Sequence, residues 1–193
     1  MEDLYRRYNE EIKPLVAEIE GRLEKFAAPL LLDMADMFDN IAMSELSDED
    51  DRISFLSLAK THGVELSIYH SYQYLVYALY TQRIRPFKMR CKRHVMMKLN
   101  NGMFYGEFMG LYKETRKLRK TVNLKKDCPE DIMTLKTMYN NLRHMEDMII
   151  EAEREIIHHE RFTESNWIIS LKWMASIAIS VLVGFLFTKY LSA

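Results

Sequence analysis

The sequence predicts an all-α protein: a cytosolic helical bundle, a long stalk-like helix bearing heptads, and one C-terminal transmembrane helix. Three observations carry this expectation. Four prolines and six glycines in 193 residues are too few for a turn-rich sandwich or barrel, and no alternating strand pattern of useful length occurs. Fourteen methionines, with Leu, Glu and Lys common, suit helices with adaptable packing surfaces. The stretch 168–188 is 21 residues long and carries one charge, Lys172.

Each element has a local reason. Residues 3–28 form a first helix, interrupted near Pro14, and Pro29 suits the opening turn of the next, PLLLDMADMFDNIAM. Ser47 followed by Asp50 resembles a capping box opening a helix through Lys60, which Gly63 is placed to end. Residues 64–84 make a helix that Pro86 stops. A further helix runs from Pro86 to the Asn100-Asn101-Gly102 break, and another covers 103–120. Cys128-Pro129 starts a long helix with Glu130 and Asp131 favourable in its first turn. Along it Leu135, Met138, Leu142, Met145, Ile149, Ala152, Ile156 and His159 alternate by three and four. Such a seam serves a bundle helix or a stalk. Because it leads toward an apolar segment, the stalk is the preferred expectation. The resulting division is 1–128 as a helical domain with a basic segment at 83–126, 129–165 as stalk, and 166–191 as transmembrane helix.

At 1.5 Å per residue, 168–188 extends about 31 Å, the thickness of a bilayer's hydrocarbon core. Trp167, Trp173 and Tyr190 are placed like interfacial anchors. Lys172, Ser176, Ser180, Gly184 and Thr188 fall at successive steps of four and form one polar, small stripe. Small residues at that spacing let helices approach closely in lipid, so the stripe is expected to pack spans together or line a pore. The opening MEDLYRRYNEE has no apolar core and does not read as a secretory signal. The expected arrangement is therefore single-pass in a membrane, with the N-terminal domain in the cytoplasm.

The net charge of −1 conceals a segregation. Residues 1–65 hold 7 Lys/Arg against 16 Asp/Glu, residues 66–126 hold 14 against 2, and residues 127–193 hold 6 against 10. The basic middle either neutralises the acidic N-terminal part or binds a polyanion. Its densest part is IYHSYQYLVYALYTQ followed by RIRPFKMRCKRHVMMK. Arg83, Arg85, Lys88, Arg90, Lys92, Arg93 and Lys98 are candidate polyanion ligands, because basic side chains neutralise phosphates. Tyr72, Tyr77 and Tyr80 are candidates to stack on bases. A nucleotide or a short single-stranded nucleic acid would meet both requirements.

Catalytic signals are absent from the sequence. There is no G-x-x-x-x-G-K-[ST], G-x-G-x-x-G or H-E-x-x-H, and neither Cys91 nor Cys128 sits in a C-x-x-C. Glu155 and His158 make a single Glu-x-x-His, where a di-iron bundle needs two. No enzyme activity, cofactor or metal is expected.

The helical domain, the basic-aromatic segment and the Ser176/Ser180/Gly184 stripe together resemble the single-pass membrane effectors of bacterial antiphage defence systems. The layout is also similar to syntaxin-like fusion proteins, whose coupling segment is longer and has a central polar layer that this chain lacks. The first resemblance implies a homo-oligomeric effector or ion-channel-like pore of the bacterial inner membrane whose cytosolic domain is regulated by a polyanionic ligand. The alternative is a tail-anchored adaptor or scaffold that holds a helical binding module at the membrane.

Overall fold

The computed structural model describes residues 1–24, 27–122 and 127–157, together with Leu171 and Met174, and every regular element among them is helical. Helix α1 covers residues 2–23 and α2 covers Ala28–Leu46, with Pro29 in its first turn as the sequence predicts. Helix α3 runs without a break over residues 49–90. A short α4, Arg93–Met96, and a 3-10 turn, Leu99–Gly102, lead to α5, Met103–Thr121. A second 3-10 turn, Pro129–Asp131, opens α6, residues 132–157.

Two prolines expected to break helices do not. Tyr8–Ile12 is π-helical, and the Lys13 N–H bonds the Tyr8 carbonyl just ahead of Pro14. Tyr80–Ile84 repeats the arrangement, with the Arg85 N–H on the Tyr80 carbonyl just ahead of Pro86. A proline has no N–H and its ring collides with the carbonyl four residues back. Widening the preceding turn to an i→i+5 bond shifts that carbonyl and lets the helix continue. Ser47 is likewise not the cap of α3. It terminates α2, where its Oγ donates to the Met43 carbonyl at 2.8 Å, and extended Asp48 precedes Glu49, Asp50 and Asp51 in the first turn of α3. Those three acids complement the positive end of the helix dipole.

Gly63 does not end a helix either. It sits inside the π-helical stretch Ala59–Glu65, where a Cβ would lie 2.7 Å from Met37 Cα, so its role is to let α3 touch α2. The predicted break at 100–102 is real: Asn100, Asn101 and Gly102 have φ of 47°, 54° and 88°, a conformation that Asn and Gly tolerate best.

Helix α3 is the spine of the core. Its first half packs Ala59, Val64 and Ile68 against Ile12 of α1 and Met37 and Ile41 of α2. Its second half packs Leu79, Ile84 and Phe87 against Phe104 and Phe108 of α5 and Leu142, Met145 and Ile156 of α6. Leu135 and Met138 of α6 meet Tyr69 in the middle. The heptad residues Leu135, Met138, Leu142, Met145, Ala152 and Ile156 are thus all buried within this one core. That corrects the stalk expectation: burying each such side chain stabilises by about 1.5–3 kcal/mol, and α6 gains it inside the bundle.

The membrane-spanning part of the predicted fold is also corrected. Among the described residues no helix is long and apolar enough to cross a membrane. The longest, α3, has charges at both ends, and the apolar residues of its uncharged middle, among them Ile68, Leu75 and Leu79, are buried against the other helices. The predicted span 166–191, with Lys172, Ser176, Ser180, Gly184 and Thr188, lies outside the described residues apart from Leu171 and Met174. The transmembrane, tail-anchored, channel and pore expectations are therefore withdrawn, and the all-helical fold is what stands.

Candidate ligand-binding site

Between α3, α5 and α6 lies a cavity of about 670 Å³. That is the size of a small-molecule site, and the gap between bundle helices is where such sites occur. Helix α3 supplies one wall, with Tyr74, Tyr77, Thr81 and Arg85 at steps of three and four, and Tyr80 beside them. Helix α5 supplies the second through Tyr112, Thr115, Arg116 and Arg119, again on one helical face. Leu135, Met138 and Leu142 of α6 add an apolar surface. Among the described residues the lining contains four tyrosines and three arginines and no carboxylate.

The electrostatics favour an anion. Among the described residues, none of Arg85, Arg116 and Arg119 makes an ion pair with a carboxylate, and all three are exposed. Tyr112 is pulled below the ordinary phenol pKa by hydrogen bonding to Lys88, whose Nζ sits 3.6 Å from the Tyr112 ring centroid. Tyr80 is pushed above it, chiefly by hydrogen bonding to Tyr112. Thr115 is 8% exposed and its Oγ1 has no hydrogen-bond partner among the described residues. A threonine inside a helix commonly satisfies its hydroxyl on the carbonyl four residues back. Leaving it unmade costs about 1–3 kcal/mol.

The basic residues singled out from the sequence separate in space. Arg85, Tyr77 and Tyr80 line the cavity, and Lys88 reaches it through Tyr112. Arg90 lies with Arg85, Pro86 and Met89 along a neighbouring, more open depression. Arg93 covers the Tyr105 ring at 5.3 Å, and Lys92 and Lys98 are exposed away from the cavity lining. Tyr72 faces Tyr139 with ring centroids 5.6 Å apart and belongs to the core.

Arg83 is engaged internally. Its Nε donates to Glu146 Oε1 at 3.2 Å, and the same carboxylate accepts from Arg22 and Arg143. Glu146 is only 3% exposed, so three guanidinium groups surround a buried charge. Burial pushes its carboxyl up, but hydrogen bonds from Arg22 and Arg143 outweigh this and hold it below the usual range. Glu18 extends the cluster by accepting from Arg22 Nε at 2.8 Å and from the Tyr139 hydroxyl at 2.5 Å.

Sequence reasoning missed Tyr74 of α3 and, on α5, Tyr112, Thr115, Arg116 and Arg119 as cavity residues. Their spacing of three, four and seven on α5 is a usable signal, because it places an aromatic, a hydroxyl and two guanidinium groups on one face. Among the described residues no group of three His, Cys, Asp or Glu side chains converges as a metal site. Glu155 of the Glu-x-x-His is described, whereas His158 lies outside the described residues. No family model, curated protein or solved structure matches the chain.

Proposed function

We propose that this chain is a helical binding module that recognises a phosphate-bearing ligand in the cavity between α3, α5 and α6. One observation carries the reading: Arg85, Arg116 and Arg119 line one aromatic-walled cavity that has no carboxylate among the described residues of its lining. Elsewhere in the bundle Arg22, Arg83 and Arg143 are paired on Glu146. Three guanidinium groups left together make an anion site, since their planar forks match phosphate geometry.

The test is calorimetric titration of the full chain with tripolyphosphate, nucleoside triphosphates and a short oligo-dT strand, at low and high salt. Binding should weaken steeply with salt. The double reversal Arg116→Glu/Arg119→Glu should lower affinity by about a hundredfold, roughly tenfold for each lost charge-assisted contact. Absence of binding by every probe at low salt, or binding indifferent to the reversals, overturns the proposal.

A further inference from the structure

A phosphate group uses only part of this cavity. Arginines and tyrosine hydroxyls satisfy a polyanion, but the tyrosine ring faces and the apolar surface of Leu135, Met138 and Leu142 offer it nothing. Those surfaces suit a planar, apolar-faced group, and aromatic rings stack on nucleobases whatever their identity.

The size and the walls also separate a single nucleotide from a strand. A strand site is an open groove that follows a backbone with cations and stacking platforms in series. Here the space is about 670 Å³ and lies between three helices. Of the cations beyond it on α3 and α4, Lys88 lies over the Tyr112 ring and Arg93 over the Tyr105 ring.

Resting on the phosphate-binding reading above, we infer that the cavity holds one nucleoside phosphate. Its base lies against Tyr74, Tyr77 and the apolar surface of α6, and its phosphates lie on Arg85, Arg116 and Arg119. Tyr77, 64% exposed, sits where it can cover the base without being required for folding.

The experiment titrates the full chain with ATP, GTP, CTP, UTP, tripolyphosphate and a short oligo-dT strand. At least one nucleotide should bind about tenfold more tightly than tripolyphosphate, and more tightly than the strand. Tyr77→Ala should lower that nucleotide's affinity by about tenfold while leaving tripolyphosphate unchanged, and Arg119→Glu should weaken both ligands together. Tripolyphosphate binding as tightly as every nucleotide overturns the base pocket and leaves the phosphate site standing. A strand that binds more tightly than all four nucleotides overturns it in favour of strand recognition. Failure of every probe to bind overturns both this inference and the reading beneath it.

Discussion

Arg22 and Glu146 meet through two parallel hydrogen bonds, Nη1 to Oε1 at 3.0 Å and Nη2 to Oε2 at 2.8 Å, although 124 residues separate them in the chain. The pair joins the first helix to the last, and Arg83 on α3 completes a three-helix junction on the same carboxylate. A fork-on-fork contact fixes orientation as well as charge. Glu146→Ala would leave Arg22, 16% exposed at its side chain, without its main partner. Removing one partner of a buried pair costs about 3–5 kcal/mol. Urea unfolding should lose at least the lower figure with an unchanged m-value, and a loss below about 1 kcal/mol would reduce the junction to a surface ion pair.

The same carboxylate predicts acid sensitivity. Its folded pKa lies below the ordinary value of 4.5, so it contributes stability above that value and loses it as pH falls through the folded pKa. Wild type should therefore lose more stability than Glu146→Gln between about pH 5 and pH 3. Parallel melting curves for the two proteins across that window would contradict the assignment.

His70 predicts the opposite slope. Its Nδ1 lies 2.6 Å from Asp33 on α2 and its Nε2 3.2 Å from Asp127, in the segment leading to α6. The Asp33 hydrogen bond raises its pKa, burial opposes this, and Asp127 adds to the rise. The group is charged in the folded protein above its unfolded pKa, so its contribution is complete below about pH 6.5 and is lost as pH rises through the folded value. The neighbouring Tyr69 ring, 5.4 Å away, stays neutral across this range because burial raises its pKa. The melting temperature of wild type minus that of His70→Gln should shrink from pH 6 to pH 8.5, and a constant difference counts against the clasp.

Arg83 and Arg119 are both exposed cations in the basic middle of the chain, and the structure assigns them different work. Arg83 is spent on Glu146, whereas Arg119 lines the cavity. Arg83→Gln should change ligand affinity by less than about twofold, and Arg119→Gln should lower it about tenfold. Equal losses would mean that the whole basic stretch binds as one diffuse field.

Gly63→Ala tests the contact between α2 and α3. The added Cβ meets Met37 at its Cα and Cβ, so no side-chain rearrangement relieves it. Overpacking of this kind costs about 1–3 kcal/mol. Denaturant unfolding should register that loss, and Met37→Ala should not restore it because the clash is with atoms that alanine retains. An unaffected Gly63→Ala protein would show that the two helices separate freely.

The helical class and several boundaries were legible in the sequence because they depend on local chemistry. Pro29 opens α2, Asn100 to Gly102 turn left-handed between helices, and Pro129 begins the turn into α6, each for a reason contained within a few residues. Pro14 and Pro86 were misread because a π turn absorbs a proline whenever tertiary packing rewards a continuous helix, and packing is not a local quantity. The α6 heptad seam illustrates the same limit. Its spacing determines which residues share a face, but only the bundle decides that the face meets Phe87 and Phe108 rather than a second chain.

The division of labour among the arginines was likewise beyond the sequence. Composition establishes that residues 66–126 carry an excess of cations. Whether a cation is free depends on which carboxylates lie within a few ångströms, and those come from anywhere in the chain. Arg83 finds Glu146 across 63 residues and is neutralised, while Arg85, two positions on, turns to the cavity with Arg116 and Arg119. Helical periodicity determined the faces. Only the packing of α3, α5 and α6 decided which face was closed by a partner and which was left lined with tyrosine and arginine, because Coulomb and contact energies follow distance in space and not separation along the chain.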